Sequence, residues 1–116
     1  MMRVFILIAI STFICYGQEI PKLDKYATDF TETLTKEQLN YLDSGLRSFE
    51  DSTSNQIVFL MITSLGGYPI EMFTFDTAEK NKIGTEENDN GVLFFVAKRD
   101  RKMRIEVGYG LEGALP

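Results

Sequence analysis

Hydrophobic positions along the chain repeat with two different periods, and each change of period marks a predicted element. Apolar side chains recur at helical spacing from residue 39 to about residue 50, where a polar run stops the helix. Thr35 and Gln38 form a capping box at its start. Two runs, residues 57–62 and 92–97, are continuously apolar. Such runs are typical of strands that are covered on both faces of a sheet.

A second helix is predicted between the two apolar strands. Pro69 suits the first position of a helix, and the next apolar side chains share one helical face: Ile70, Phe73 and Ala78. We expect this helix to end near residues 82–84. Near the amino end of the domain, residues 26–30 are either a short edge strand or an extended arm.

The last pattern is an alternation of apolar and charged side chains over residues 103–107. It predicts a strand with one wet face, on which Arg104 and Glu106 lie. A tight turn joins this strand to the preceding apolar strand, so the two form a hairpin. The order helix, strand, helix, strand, strand predicts an α/β fold, a three-layer α/β/α sandwich with a mixed central sheet.

The first 17 residues have the pattern of a secretory signal peptide. Arg3 lies before an apolar run, and Cys15 and Gly17 are small residues that precede a cleavage point before Gln18. An uncleaved anchor is the alternative. We therefore expect residues 1–17 to be a signal, residues 18–25 a linker, and the product to be exported, periplasmic or associated with the cell envelope.

Composition limits the chemistry that the chain can perform. Asp and Glu number 17 against 12 Lys and Arg, the net charge is −5, and histidine is absent. Ser-His-Asp and Cys-His catalysis are therefore excluded, and the acidic balance argues against nucleic acid as a partner. A bound metal would need oxygen ligands, which favours Ca²⁺ or Mg²⁺. The catalytic residues and the oligomeric state are not assigned by the sequence.

Three glycines near the end of the chain form a G-x-G-x-x-G: Gly108, Gly110 and Gly113. A dinucleotide-binding loop needs a buried parallel strand before it, a helix after it and a later acidic residue. Here the preceding strand alternates and follows a hairpin, so we expect no nucleotide cofactor. The glycines are predicted to be structural and to permit close backbone approach at the exit of the strand.

Two groups of charged residues are candidates for binding. Asp89 precedes the second apolar strand; it belongs either to an ordinary turn or to an oxygen-only metal site. Arg101 and Arg104 are either solvated surface charges or ligands of a phosphate or carboxylate group.

Several segments of the chain resemble the TPM domain family: residues 64–71 (SLGGYPIE), 82–84 (KIG), 89–93 (DNGVL) and 101–113 (RKMRIEVGYGLEG). The family includes bacterial exported proteins, a thylakoid-lumen protein tied to photosystem II repair and a modulator of acetylcholine receptors. The resemblance covers residues 26–116 and implies an α/β/α sandwich that is truncated at its C-terminal end. In longer members a membrane anchor can follow.

The resemblance also implies a function and candidate residues. Some members are interaction modules, and a weak acid-phosphatase activity with divalent-cation binding is attributed to others. We therefore expect an exported binding module for the maintenance of membrane or envelope proteins; the alternative is a weak divalent-metal-dependent acid phosphatase. Asp89 matches the carboxylate of the family's D-N-G motif, and Asp100 with Arg101 matches an acidic–basic pair in the hairpin. Asp89 and Asp100 are therefore the predicted ligands of Ca²⁺ or Mg²⁺. Asn81 departs from the aromatic residue common in the family, which predicts weaker packing at the helix end.

Overall fold

The computed structural model describes residues 18–84 and 90–108. They form six elements: β1 (Ala27–Asp29), α1 (Lys36–Thr53), β2 (Gln56–Ile62), α2 (Ile70–Lys80), β3 (Gly91–Ala97) and β4 (Lys102–Val107). The strands make one sheet in the order β1-β2-β3-β4. The first three strands are parallel and β4 is antiparallel to β3. The α/β fold with a mixed sheet is therefore confirmed.

The two helices lie on opposite faces of the sheet. On one face α2 contacts β3 and β4, and its buried Phe73 lies against Phe95 of β3 with ring centroids 5.0 Å apart. On the other face α1 contacts β1 and β2. Alternate residues of the central strands form the core beneath α2: Val58, Leu60, Ile62, Leu93, Phe95 and Ala97. Burial of this apolar surface is the main force that holds the layers together.

Helix α1 begins as the capping box predicts and ends later than expected. The Thr35 hydroxyl accepts the N–H of Gln38, and the Gln38 side chain accepts the N–H of Thr35. The helix continues to Thr53, and in its last turn the Ser52 and Thr53 hydroxyls donate to the carbonyls four residues earlier. It stops at Ser54, whose φ of 62° is left-handed. Pro69 is the N-cap residue of α2, one position before the first helical residue, Ile70.

The segment predicted as a linker is packed against the domain. Ile20 and Leu23 lie against the core beneath α2. Asn81, just after α2, holds the segment: its side-chain oxygen accepts the N–H of Leu23 at 2.7 Å, and its amide donates to the carbonyl of Pro21 at 2.9 Å. Asn81 therefore replaces aromatic packing with a polar clamp at this helix end.

The orientation predicted for β4 was wrong. By register, Arg104 and Glu106 lie on the same face as Phe95 and Leu93, which is the face that α2 covers. The apolar side chains point the other way, and Met103 and Ile105 are 61% and 49% exposed. The reason is that α1 reaches only β1 and β2, so the opposite face of β4 has no layer over it among the described residues.

Three glycines meet where the turn after α2, the start of β3 and the end of β4 converge. The N–H of Gly108 donates to the carbonyl of Gly91 at 2.7 Å. A Cβ atom on Gly84, whose φ is 72°, would lie 3.3 Å from that same carbonyl oxygen. Gly108 therefore lies in close backbone contact with Gly84 and Gly91 at the exit of β4.

Other sequence predictions concern residues outside the described ones: the signal at 1–17, Asp89, Gly110 and Gly113. Within 18–84 and 90–108, neither helix has the length and apolar character needed to cross a bilayer.

Candidate functional site

The carboxyl ends of the three parallel strands meet at one edge of the sheet, the edge at which α/β sheets usually bind ligands. A pocket of about 550 Å³ opens there. Residues that follow the three strands line it: Thr31 after β1, Thr63 after β2, and Lys98, Arg99 and Arg101 after β3. We call this the cationic pocket.

The wall formed by the segment after β1 is held by one carboxylate. Asp29 Oδ1 accepts the N–H of Thr31 at 2.8 Å, and Oδ2 accepts the N–H groups of Thr33 and Leu34 at 3.0 and 2.8 Å. Burial alone would raise the pKa of Asp29, but these hydrogen bonds and the Thr31 hydroxyl outweigh it and hold the pKa below its usual value. The charged carboxylate thus fixes the shape of this wall.

The wall after β3 is fixed by the backbone. Lys98 and Arg99 donate their N–H groups to the carbonyls of Ile62 and Thr63 at 3.0 and 2.8 Å, which extends the pairing of β2 and β3. Arg101 has a left-handed φ of 53° in the hairpin turn. The three basic side chains therefore project from a defined turn.

Asp100 lies in the same turn but has a structural contact. Its Oδ2 accepts the N–H of Leu65 at 2.7 Å and so ties the turn after β3 to the turn after β2. Leu65 itself is buried in the core. Removing this acceptor would leave the N–H of Leu65 unpaired in a partly buried position.

No carboxylate of residues 18–84 or 90–108 neutralises the charge of the cationic pocket. Among the described residues, Lys98, Arg99 and Arg101 have no carboxylate within ion-pair distance; the ion pairs there are Arg47–Asp43 and Arg104–Glu106. Lys98 instead donates to the Thr33 hydroxyl at 2.7 Å. Three cations thus converge on one pocket of a chain whose net charge is −5.

The structure separates the two arginines that sequence reasoning grouped together. Arg101 lines the pocket, whereas Arg104 lies on the α2 side of β4 with its Nε 3.2 Å from Glu106 Oε2. The buried Thr74 hydroxyl of α2 lies at the same distance from that oxygen, 3.2 Å. Arg104 therefore belongs to the packing between α2 and β4.

The predicted metal ligands are not brought together among the described residues. Asp89 lies outside them, and Asp100 is flanked by cations. Within residues 18–84 and 90–108, no group of three His, Cys, Asp or Glu side chains is arranged to hold a metal ion. The described donors around Asp100 do not fit a divalent cation, so the metal prediction depends on Asp89.

Sequence reasoning missed four pocket residues: Thr31, Thr63, Lys98 and Arg99. One signal was available, because Lys98 and Arg99 directly follow a buried parallel strand, the position where ligand-binding residues of α/β sheets gather. The threonines carried no local signal, since their loops meet only when β1 and β2 pair.

Comparison with known proteins identifies related chains. The model of the TPM domain family matches residues 27–116. The chain is similar to the N-terminal domain of a protein from P. gingivalis, solved by solution NMR, with 32% identity, a TM-score of 0.70, and coverage of 77% of this chain and 57% of that chain. No curated protein matches it significantly.

A second solution NMR structure, the N-terminal domain of a protein from Corynebacterium glutamicum, shares the fold at 20% identity and a TM-score of 0.62. It covers 78% of this chain and 59% of that chain. The chain thus spans less than two thirds of the length of either structure. The family match covers most of the chain, including the hairpin and both central strands, so the chain belongs to the TPM domain family.

Proposed function

We propose that this domain is an exported binding module whose cationic pocket docks an anionic group of a membrane or envelope protein. One observation carries the proposal: three basic side chains converge, without carboxylate partners among the described residues, at the ligand-binding edge of an acidic domain. Export rests on the signal pattern of residues 1–17.

The chemistry of the pocket favours a carboxylate or a phosphate group. Arg99 and Arg101 can each donate two parallel hydrogen bonds to such a group, and the Thr31 and Thr63 hydroxyls supply further donors. The volume of about 550 Å³ is within the range of small-ligand sites. The opening of the pocket is broad and its cations are exposed. The pocket therefore suits an anionic group on the surface of a larger partner.

Binding is tested by NMR titration with inorganic phosphate and, separately, with acetate. We expect the amide signals of the pocket residues to shift, and the double variant Arg99→Gln, Arg101→Gln to bind at least about tenfold more weakly, since each charge-assisted bond contributes about 1.5–3 kcal/mol. The double variant Lys22→Gln, Lys25→Gln removes the same charge from the amino-terminal segment and should bind as the unmodified chain does. Equal binding by both double variants would refute the proposal.

The second candidate function is a weak metal-dependent acid phosphatase, and the same pocket favours it because a phosphate ester presents the anion that these donors fit. Its test is hydrolysis of p-nitrophenyl phosphate with and without Ca²⁺ or Mg²⁺, alongside calorimetric titration of each metal. Metal-dependent turnover that disappears in Asp89→Ala would favour the phosphatase. Phosphate binding without hydrolysis of the ester would contradict the phosphatase and support the binding module.

A further inference from the structure

We propose that two copies of this chain pair along β4 in an antiparallel arrangement centred on Ile105, which joins their sheets into one. This inference is independent of the cationic pocket. The pocket lies at the carboxyl ends of β1, β2 and β3, whereas the proposed contact lies along the unpaired side of β4. It rests on the free side of β4, on the exposure of its apolar residues and on the order of its charges.

Strand β4 is the last strand of the sheet order, so one of its sides is unpaired among the described residues. The N–H of Gly108 points toward β3, because it donates to the carbonyl of Gly91. Backbone direction alternates along an antiparallel strand. Arg104 and Glu106 therefore also bond toward β3, and Met103, Ile105 and Val107 direct their N–H and C=O groups outward.

The side chains of β4 that face away from α2 are apolar and exposed. Met103 and Ile105 are 61% and 49% exposed, whereas every residue of β1, β2 and β3 is buried or partly buried. An exposed apolar edge strand is a template for pairing with another chain. Phe75 of α2, which is 54% exposed, adds a third large apolar side chain near the same edge.

The charges of β4 select one register of self-pairing. With Ile105 opposite its own copy, Met103 faces Val107, and Arg104 faces Glu106 of the second copy, on both sides of the twofold axis. A register centred on Arg104 places two arginines opposite each other, and one centred on Glu106 places two glutamates opposite each other. Like charges in directly opposite positions are destabilising, so the register centred on Ile105 is favoured.

The outward backbone groups fit this register as well. Ile105 and its copy exchange two hydrogen bonds, and each pairing of Met103 with Val107 exchanges two more. Arg104 and Glu106 then occupy the non-hydrogen-bonded positions, where opposite side chains are closest. In one copy Arg104 Nε already lies 3.2 Å from Glu106 Oε2, so the dimer would join two such pairs into a four-membered network.

A charge-swap experiment tests the register. Arg104→Glu and Glu106→Arg should each weaken dimerisation by about tenfold or more, because each places like charges opposite each other twice. An equimolar mixture of the two variants should form heterodimers, and the double variant Arg104→Glu, Glu106→Arg should dimerise again. Sedimentation velocity over a concentration series gives the dissociation constants, and recovery in the mixture shows that the single variants are folded.

Cross-linking tests the position of the twofold axis. With Cys15→Ser, the chain has no other thiol. Ile105→Cys should then form a disulfide-linked dimer under mild oxidation, because residues in a hydrogen-bonded pair lie about 5.5 Å apart at Cα. Met103→Cys is the control, since residue 103 and its copy would be about 13 Å apart, four strand positions.

Two results would overturn the proposal. One is a chain that sediments as a monomer at every concentration and cross-links no faster through residue 105 than through residue 103. The other is a dimer that both single charge variants leave unchanged.

Discussion

A Cβ atom placed on Gly84 would lie 2.6 Å from the Cα of Gly108, so the turn after α2 and the end of β4 touch backbone to backbone. Cβ atoms in proteins essentially never lie that close to another atom, and Gly84 also has a left-handed φ of 72°. We predict that Gly84→Ala lowers the free energy of unfolding by about 2–4 kcal/mol, from the clash and the backbone conformation together. Urea denaturation measures the change.

Gly45→Ala is the matched control for Gly84→Ala. Gly45 lies within α1, and a Cβ atom there would meet nothing within 4 Å. Alanine has the higher helix propensity, so this variant should gain up to about 1 kcal/mol. Equal stability of the two alanine variants would contradict the backbone contact at Gly84.

Asn81 is predicted to anchor the amino-terminal segment. Asn81→Ala removes the bonds to Leu23 and Pro21 and should lower the free energy of unfolding by about 1–3 kcal/mol, because the freed groups are partly buried. Amide hydrogen exchange of residues 20–25 should become faster. In β2 and β3, exchange should change only as much as the loss in the free energy of unfolding predicts. Asn40→Ala removes an exposed amide from α1, so it should not lower the free energy of unfolding, which alanine's helix propensity raises by up to about 0.7 kcal/mol, and it should not speed exchange of residues 20–25.

Asp29 should make stability depend on pH in the acid range. Its folded-state pKa lies below the ordinary value of 3.8, so its charged form contributes stability above that value. This contribution is lost as the pH falls through the lower, folded-state pKa. Denaturation curves between about pH 2 and pH 6 should therefore show a loss in the unmodified chain that is smaller in Asp29→Asn.

At neutral pH, Asp29→Asn should itself cost about 1–3 kcal/mol, since an amide offers one acceptor where the carboxylate offers two. Asp24→Asn makes the same charge change on an exposed side chain and should follow the pH profile of the unmodified chain. A steep acid loss that persists in Asp29→Asn would show that other groups are responsible.

Asp100 is predicted to act through the backbone of Leu65. Asp100→Ala should lower stability by about 1–2 kcal/mol, because the N–H of Leu65 loses its acceptor. Asp100→Asn keeps an oxygen acceptor and should recover most of that loss. Thermal unfolding with and without Ca²⁺ or Mg²⁺ separates the roles: a metal ligand would show a metal-dependent melting temperature that both variants abolish, whereas the contact with Leu65 predicts the same difference in either buffer.

The sequence by itself determined the elements whose causes are local. The capping box of Thr35 and Gln38 forms within four residues of the chain, so its pattern could be interpreted without the rest of the fold. The two continuous apolar runs identified the two central strands, β2 and β3, in which alternate residues are buried beneath α2 and the residues between them are partly buried. Together with the motif around residues 101–113, these features were sufficient to predict the α/β fold and the family.

The tertiary structure alone decided which residues meet. Thr31, Thr63 and Arg101 share one pocket because three parallel strands place their carboxyl ends at the same edge, although the residues are far apart in the chain. Alternation along β4 could not show which set faces a helix, since that depends on where α1 and α2 lie over the sheet. The local sequence determines whether a segment prefers helix or strand and how often its apolar side chains recur. Which face of a strand is covered, and which loops meet in a pocket, depends on packing between segments that are distant in the chain.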